Sequence, residues 1–302
     1  RDADGVPTGV LLEQAALDAW NRLIPSSVDR AATVGGLRDL ARFFVESHDL
    51  KAKPQIVGEL PSLLDEAGVD MRVELYPLVQ DLDDALARTT NDDRVRLAGG
   101  KIFVDGTLNS RTAWMLEPYT DGPTEHPAGM ALMKPAAIED AILRCASHGV
   151  RLACHAIGDG AVRAVLDAVE RVRPPRWTVR IEHAEVIDAA DVPRFAELGV
   201  IASVQPCHLL VDIEALGRAL PDRVDRVLPL RELIDSGLEP GQTLLFGSDA
   251  PIVRPDPEDS IRAAVHRSRP DSVAIAPDQA ISESEAWSCF DAGRQMPAIG
   301  EA

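Results

Sequence analysis

Along much of the chain, short apolar runs alternate with segments whose apolar residues recur at helical spacing. Met71 to Tyr76, Lys101 to Val104, Arg151 to His155, Thr178 to Glu182, Val200 to Gln205 and Thr243 to Ser248 read as buried strands. Pro135 to Ser147, Ala161 to Glu170, Asp188 to Leu198 and Leu228 to Ser236 read as helices between them. A further strand at Phe43 to Glu46 competes with continuation of a helical pattern from Leu37 to Phe44. Strand and helix in strict alternation predict parallel βαβ units.

Such units build either a doubly wound sheet or a barrel, and the strand ends decide between them. A doubly wound sheet carries a glycine-rich phosphate loop at its first turn, and the sequence has neither GxGxxG nor GxxxxGK[ST]. Polar residues instead sit at the ends of several strands: Lys101 opens one, His155, His183 and Gln205 close others, and Asp249 follows a fifth. A barrel gathers such residues at one mouth. The step of 28 residues from His155 to His183 is one βα unit. The longer gap from Lys101 to His155 holds "DGTLNSRTAWMLEPYTDGPTEHPAGM", whose Gly, Pro, Asp and Thr content marks an extended binding loop. The expected fold is therefore an α/β barrel, with residues 1–302 forming one domain.

Composition narrows the partners. The 302 residues are 45% hydrophobic and 26% charged, enough for one large core, and the net charge is −18. That charge repels phosphates and anionic membranes, so neither nucleic acid nor membrane is an expected partner. No apolar run reaches the length of a membrane span and no basic leader is seen, so a soluble, cytoplasmic protein is expected. Cys145, Cys154, Cys207 and Cys289 have no CxxC spacing and read as reduced thiols; strand alternation turns Cys154 away from the face of His155.

Two histidines and an aspartate on neighbouring strand ends can share one small volume. Imidazole and carboxylate suit Zn, Mn or Fe, and a bound divalent cation lowers the pKa of water to about 7. Asp249 is then placed as proton shuttle as well as ligand. The alternatives are a hydrogen-bonded structural histidine and an aspartate that caps its loop. Lys101 on an apolar strand must snorkel outward, pair with an acid or be chemically modified.

The segments "KIFVDGTLNSRTAWMLEPYTDGP", "CHAIGDGAVRAVLDAVE", "RIEHAEVI", "ASVQPCHLLVD" and "FGSDAPIVRPDPEDSIRAAVHR" resemble, in order, the signatures of the YtcJ-like branch of the metal-dependent amidohydrolases. "RDADGVPTGVLLEQAA" resembles the stretch before that branch's second barrel strand. The resemblance implies a (β/α)8 TIM barrel of the metal-dependent hydrolase type, a single catalytic barrel domain over residues 1–302 that cleaves a C–N bond of an amide, formamide or cyclic amide with one or two divalent ions, Zn foremost. It implies Lys101, His155, His183 and Asp249 as metal ligands, with Lys101 carboxylated on its amine. Arg111, Gln205 and His208 fall on substrate-pocket positions. Strand alternation turns Arg180 and Glu182 to the face opposite His183, as a structural ion pair, and Asp159 reads as a helix N-cap in preference to a partner that orients His155. The family's HxH pair on the first strand and its flanking β-sandwich have no counterpart in the sequence, so the barrel is expected to be incomplete at its first strand. Small-molecule amides are the expected partners, with a homo-oligomer or a second chain completing the barrel. The rival reading is a catalytically impaired barrel remnant that binds or assembles; ester or phosphoester hydrolysis is a third.

Overall fold

The computed structural model describes residues 29–49, 51–269, 272–290 and 296–301. The segment resembling the stretch before the second barrel strand lies outside them. The chain order is α1 (Arg30–Leu40), β1 (Glu46–Asp49), α2 (Pro54–Ala67), β2 (Arg72–Leu75), α3 (Leu82–Leu86), β3 (Val95–Leu97) and β4 (Gly99–Phe103). It continues α4 (Pro135–Ser147), β5 (Arg151–Ala156), α5 (Asp159–Val172), β6 (Val179–His183), α6 (Val192–Leu198) and β7 (Ile201–Val204). Then follow α7 (Cys207–Ala219), α8 (Leu230–Asp235), β8 (Leu244–Phe246), α9 (Pro257–His266) and α10 (Glu283–Ser288). No helix among the described residues is long and apolar enough to cross a membrane.

All pairings between named strands are parallel, in the orders β1-β2-β3 and β4-β5-β6-β7-β8. Lys101 N donates to Pro77 O at 2.7 Å and Leu78 bridges to Lys101, so the two sheets join edge to edge where β3 runs into β4. The arc is that of a TIM-type barrel left unclosed: among the described residues no strand joins β8 to β1.

Strand alternation sorts the side chains into two layers. Leu152, Cys154, Ile181, Ala202, Val204 and Leu244 pack outward into the main helix-covered core, and Val73, Leu75 and Val95 into a second core with α1 and α2. Inward, in register, lies the row Phe103, His155, Glu182, Ser203 and Leu245, beneath it Lys101, Ala153 and Arg180. Arg180 and Glu182 do form a buried ion pair, Nε to Oε1 at 2.5 Å. The pair faces the same interior as Lys101, however, because alternation along β6 fails only afterwards, at His183. Arg180 also donates to Ser203 Oγ at 2.8 Å and lies 2.8 Å from His48 Nδ1, and Glu74 pairs with Arg96.

Several elements sit slightly apart from their sequence reading. The strand expected from Lys101 begins at Gly99, because the glycines permit a close approach: a Cβ on Gly99 would lie 2.3 Å from Arg151 O. The helix expected from Asp188 begins at Val192, since the Asp188 carboxylate folds back onto Ala190 N at 2.9 Å as an Asx turn. The doubtful strand lies at Glu46–Asp49, after α1 has ended. All four cysteines are buried free thiols, with Cys154 in the outward core.

"GDG" after β5 has a direct explanation in packing. Trp114 O, from the long loop after β4, receives Gly160 N at 3.0 Å, and a Cβ on Gly158 would approach it to 2.1 Å. Gly158 is itself the N-cap of α5; Asp159 is not the cap but accepts Leu116 N at 2.7 Å, pinning the same loop.

Two outcomes are expected. Gly158→Ala lowers unfolding free energy by about 1–3 kcal/mol, read from urea denaturation. Arg180→Met, which strands the buried Glu182 carboxylate, costs about 3–5 kcal/mol, whereas the double change with Glu182→Leu costs less than the single one.

Candidate metal centre and substrate cleft

The barrel interior and its open seam enclose one continuous cavity of about 2880 Å³. This exceeds the roughly 300–1,000 Å³ of ordinary ligand pockets because the barrel does not close. At the carboxyl ends of the strands the cavity meets His155, His183, Gln205, His208 and Asp249, with Lys101 deeper inside.

His183 reaches this mouth by leaving the strand pattern. Its register partner, Ala156, faces the helix layer, yet His183 has φ 73° and Ala184 φ 40°, and the left-handed backbone turns the imidazole into the cavity. Asp249, beyond β8, has φ 57°. Such conformations cost of order 1 kcal/mol or more and cluster at functional sites.

Ligand atoms of His183, His208 and Asp249 all lie within 4.8 Å of one another. His208 Nε2 is 3.8 Å from Asp249 Oδ2, too long for a hydrogen bond, and neither His208 Nε2 nor His183 Nδ1 has a hydrogen-bond partner among the described residues. Two ligands held at about 2.0–2.1 Å around a tetrahedral Zn stand about 3.3 Å apart. The orphaned nitrogens, the carboxylate and their spacing therefore fit a divalent cation.

His155 packs edge-on to His183 with ring centroids 4.6 Å apart, but its Nε2 donates to Gly106 O at 3.0 Å, with Asp105 Oδ1 at 3.7 Å. That bond leaves the lone pair on Nδ1. Asp105, absent from the sequence reading, organises the turn: its carboxylate accepts Ile157 N at 3.0 Å and Gly158 N and Trp114 N at 2.9 Å. A polar residue directly after an apolar strand was the available signal.

Charge in the mouth is set by desolvation. Burial, with Lys101 nearby, pulls His155 down to about 3, and burial with His155 alongside pulls His183 well below its usual range, so both rings are neutral at pH 7. Burial lowers Lys101 to about 8, opposed by Glu182. Its Nζ lies 5.2 Å from the Phe103 ring centre, and no carboxylate pairs with it within 4.0 Å among the described residues. Desolvation pushes Asp249 up to about 6, partly offset by Lys101.

Gln205 stands beside His183 and donates from Nε2 to Ser203 O at 3.2 Å. Arg111 does not line the cavity: its guanidinium is held in bidentate contact with Asp121 at 2.6 and 2.7 Å and packs over the Tyr119 ring. The expected substrate contact is thus turned into a loop brace, a neighbouring aspartate having captured the cation. Glu185, Asp212 and Asn109 line the cavity and were not singled out in the sequence.

Comparison with known proteins agrees with this geometry. The model of the amidohydrolase family matches residues 1–289. The putative amidohydrolase YtcJ of Bacillus subtilis is 30% identical over 293 residues, covering 88% of this chain and 51% of the relative. N-substituted formamide deformylase of Arthrobacter pascens is 27% identical, covering 95% and 55%. The crystal structure of an uncharacterised metal-dependent hydrolase from Pyrococcus horikoshii superposes with a TM-score of 0.76 at 27% identity, covering 91% and 57%. The chain thus spans about half the length of each of these relatives. With its parallel barrel strands, its strand-end imidazoles and carboxylate, and a family match over most of its length, the chain belongs to the amidohydrolase family.

Proposed function

We propose that the protein is a hydrolase that uses a divalent cation, Zn foremost, to cleave a C–N bond of a small amide, formamide or cyclic amide. The observation that carries this reading is the approach of His183, His208 and Asp249 ligand atoms to within 4.8 Å at the strand mouth, with two imidazole nitrogens left unpaired. The likeness to a formamide deformylase supports the choice of bond.

His183, His208 and Asp249 would hold the ion, with His155 and Lys101 on the inner side. A bound divalent cation supplies Lewis acidity, polarising a carbonyl oxygen and making water available as a nucleophile near pH 7. Neutral His155 and His183 offer lone pairs without first losing a proton. Asp249, at the edge of the cavity with its side chain 36% exposed, is positioned to take a proton from the attacking water and return it to the leaving nitrogen. Gln205 offers its amide to orient the substrate carbonyl, and the hydrogen bond from His155 Nε2 to Gly106 O keeps that ring from turning.

Lys101 fits carboxylation. Its neutral amine adding to CO₂ gives Lys–NH–COO⁻ and releases one proton, which replaces a buried unpaired cation by an anion able to ligate a metal.

Two results test this reading. Elemental analysis of gently purified protein is expected to find at least about one equivalent of Zn, Mn or Fe, reduced at least tenfold in occupancy by His208→Ala, and Asp249→Asn is expected to lower amide hydrolysis by about 10²–10⁴-fold. Metal-free protein, or hydrolysis indifferent to Asp249, overturns it. In ¹³C-bicarbonate, a carbamate resonance is expected that Lys101→Ala abolishes; its absence in the metal-loaded wild type removes the carboxylation.

A further inference from the structure

Beside the proposed metal centre, the cavity wall carries acidity that the hydrolytic reading does not use. Glu185 lies in the loop that His183 begins, only 4% exposed, and its Oε1 has no hydrogen-bond partner among the described residues. Asp212 is on α7 (Cys207–Ala219), one helical turn beyond His208 and therefore on the same face. It is 8% exposed and accepts a hydrogen bond from Asn109 Nδ2 at 2.6 Å. Both acids line the same cavity.

No lysine or arginine pairs with either within 4.0 Å among the described residues. The arginine of the long loop, Arg111, is held by Asp121. This contrasts with the barrel floor, where Glu182 and Glu74 each have an arginine. A small metal ion does not suit the pair: among the described residues, Glu185 and Asp212 belong to no group of three ligand side chains gathered within 4.8 Å. What matches two separated acceptors in a desolvated wall is an organic cation with several N–H donors, since buried acceptors without partners cost free energy until one is supplied. The net charge of −18 adds a long-range attraction for such a ligand.

We propose that Glu185 and Asp212, with Asn109 orienting Asp212, form a subsite for a primary ammonium or similar cationic nitrogen. The natural substrate is then an amide whose substituent carries a positively charged amino group, seated about one helical turn from His208. This substrate assignment rests on the hydrolytic reading above; the subsite itself does not.

Isothermal calorimetry on the full chain, comparing pentane-1,5-diamine with the neutral pentane-1,5-diol, separates the two claims. The diamine is expected to bind at least about tenfold more tightly than the diol, and Glu185→Gln and Asp212→Asn are each expected to remove most of that preference, with circular dichroism melting reporting on folding. Equal binding of diamine and diol by the unaltered chain, or a preference untouched in both folded variants, overturns the subsite. Diamine preference in a chain that hydrolyses no amide of either charge supports the subsite and overturns the hydrolytic reading alone.

Discussion

A metal centre built from strand ends depends on aiming several polar side chains into one small volume while the strands that carry them alternate between two faces. In this protein the conflict is sharpest at His183. Its strand partner, Ala156, faces the helices, so regular β geometry would bury the imidazole in the outward core. The left-handed backbone at His183 and Ala184 breaks the alternation, and a similar conformation at Asp249 brings the carboxylate toward the same point. The cost of holding non-glycine residues there is of order 1–3 kcal/mol each. At His183 it is sustained by the parallel pairing of β6 with β5 and β7 on either side.

The interior is divided by electrostatics as well as by geometry. Deeper in the barrel, two buried ionic groups are held: Arg180 by Glu182 and Ser203, with His48 alongside, and Glu74 by Arg96. At the mouth, His183 Nδ1, His208 Nε2, Glu185 Oε1 and Gln205 Oε1 have no hydrogen-bond partner among the described residues. Unsatisfied buried polar atoms are rare in folded proteins because each costs about 1–3 kcal/mol. Four of them share the mouth, which marks it as the part of the interior open to ligands.

The β5 to β8 half was the most legible in the sequence, because fully buried parallel strands read as short apolar runs and the helices between them carry a clear apolar stripe. The first half was less so: β1, ESHD, is polar because its residues face the charged interior, and no hydrophobic pattern marks it. His155, His183 and Asp249 were visible as polar residues terminating apolar strands. The closeness of His208 to Asp249 depends on how α7 meets β8, which one sequence does not encode locally. Arg111 sits off the cavity because its partner Asp121 lies within the same irregular loop, where spacing carries no directional information. Asp105 and Glu185 differ from ordinary loop acids only in being buried, a property that arises from the long loop closing over the strand ends.

The central claim is convergence of three side chains on one cation, and the most direct measurement is anomalous diffraction from crystals of the metal-loaded protein at the absorption edge of the bound element. The account predicts a peak lying about 2.0–2.2 Å from one donor atom each of His183, His208 and Asp249. A metal-loaded crystal whose anomalous peak lies away from these three residues would contradict it.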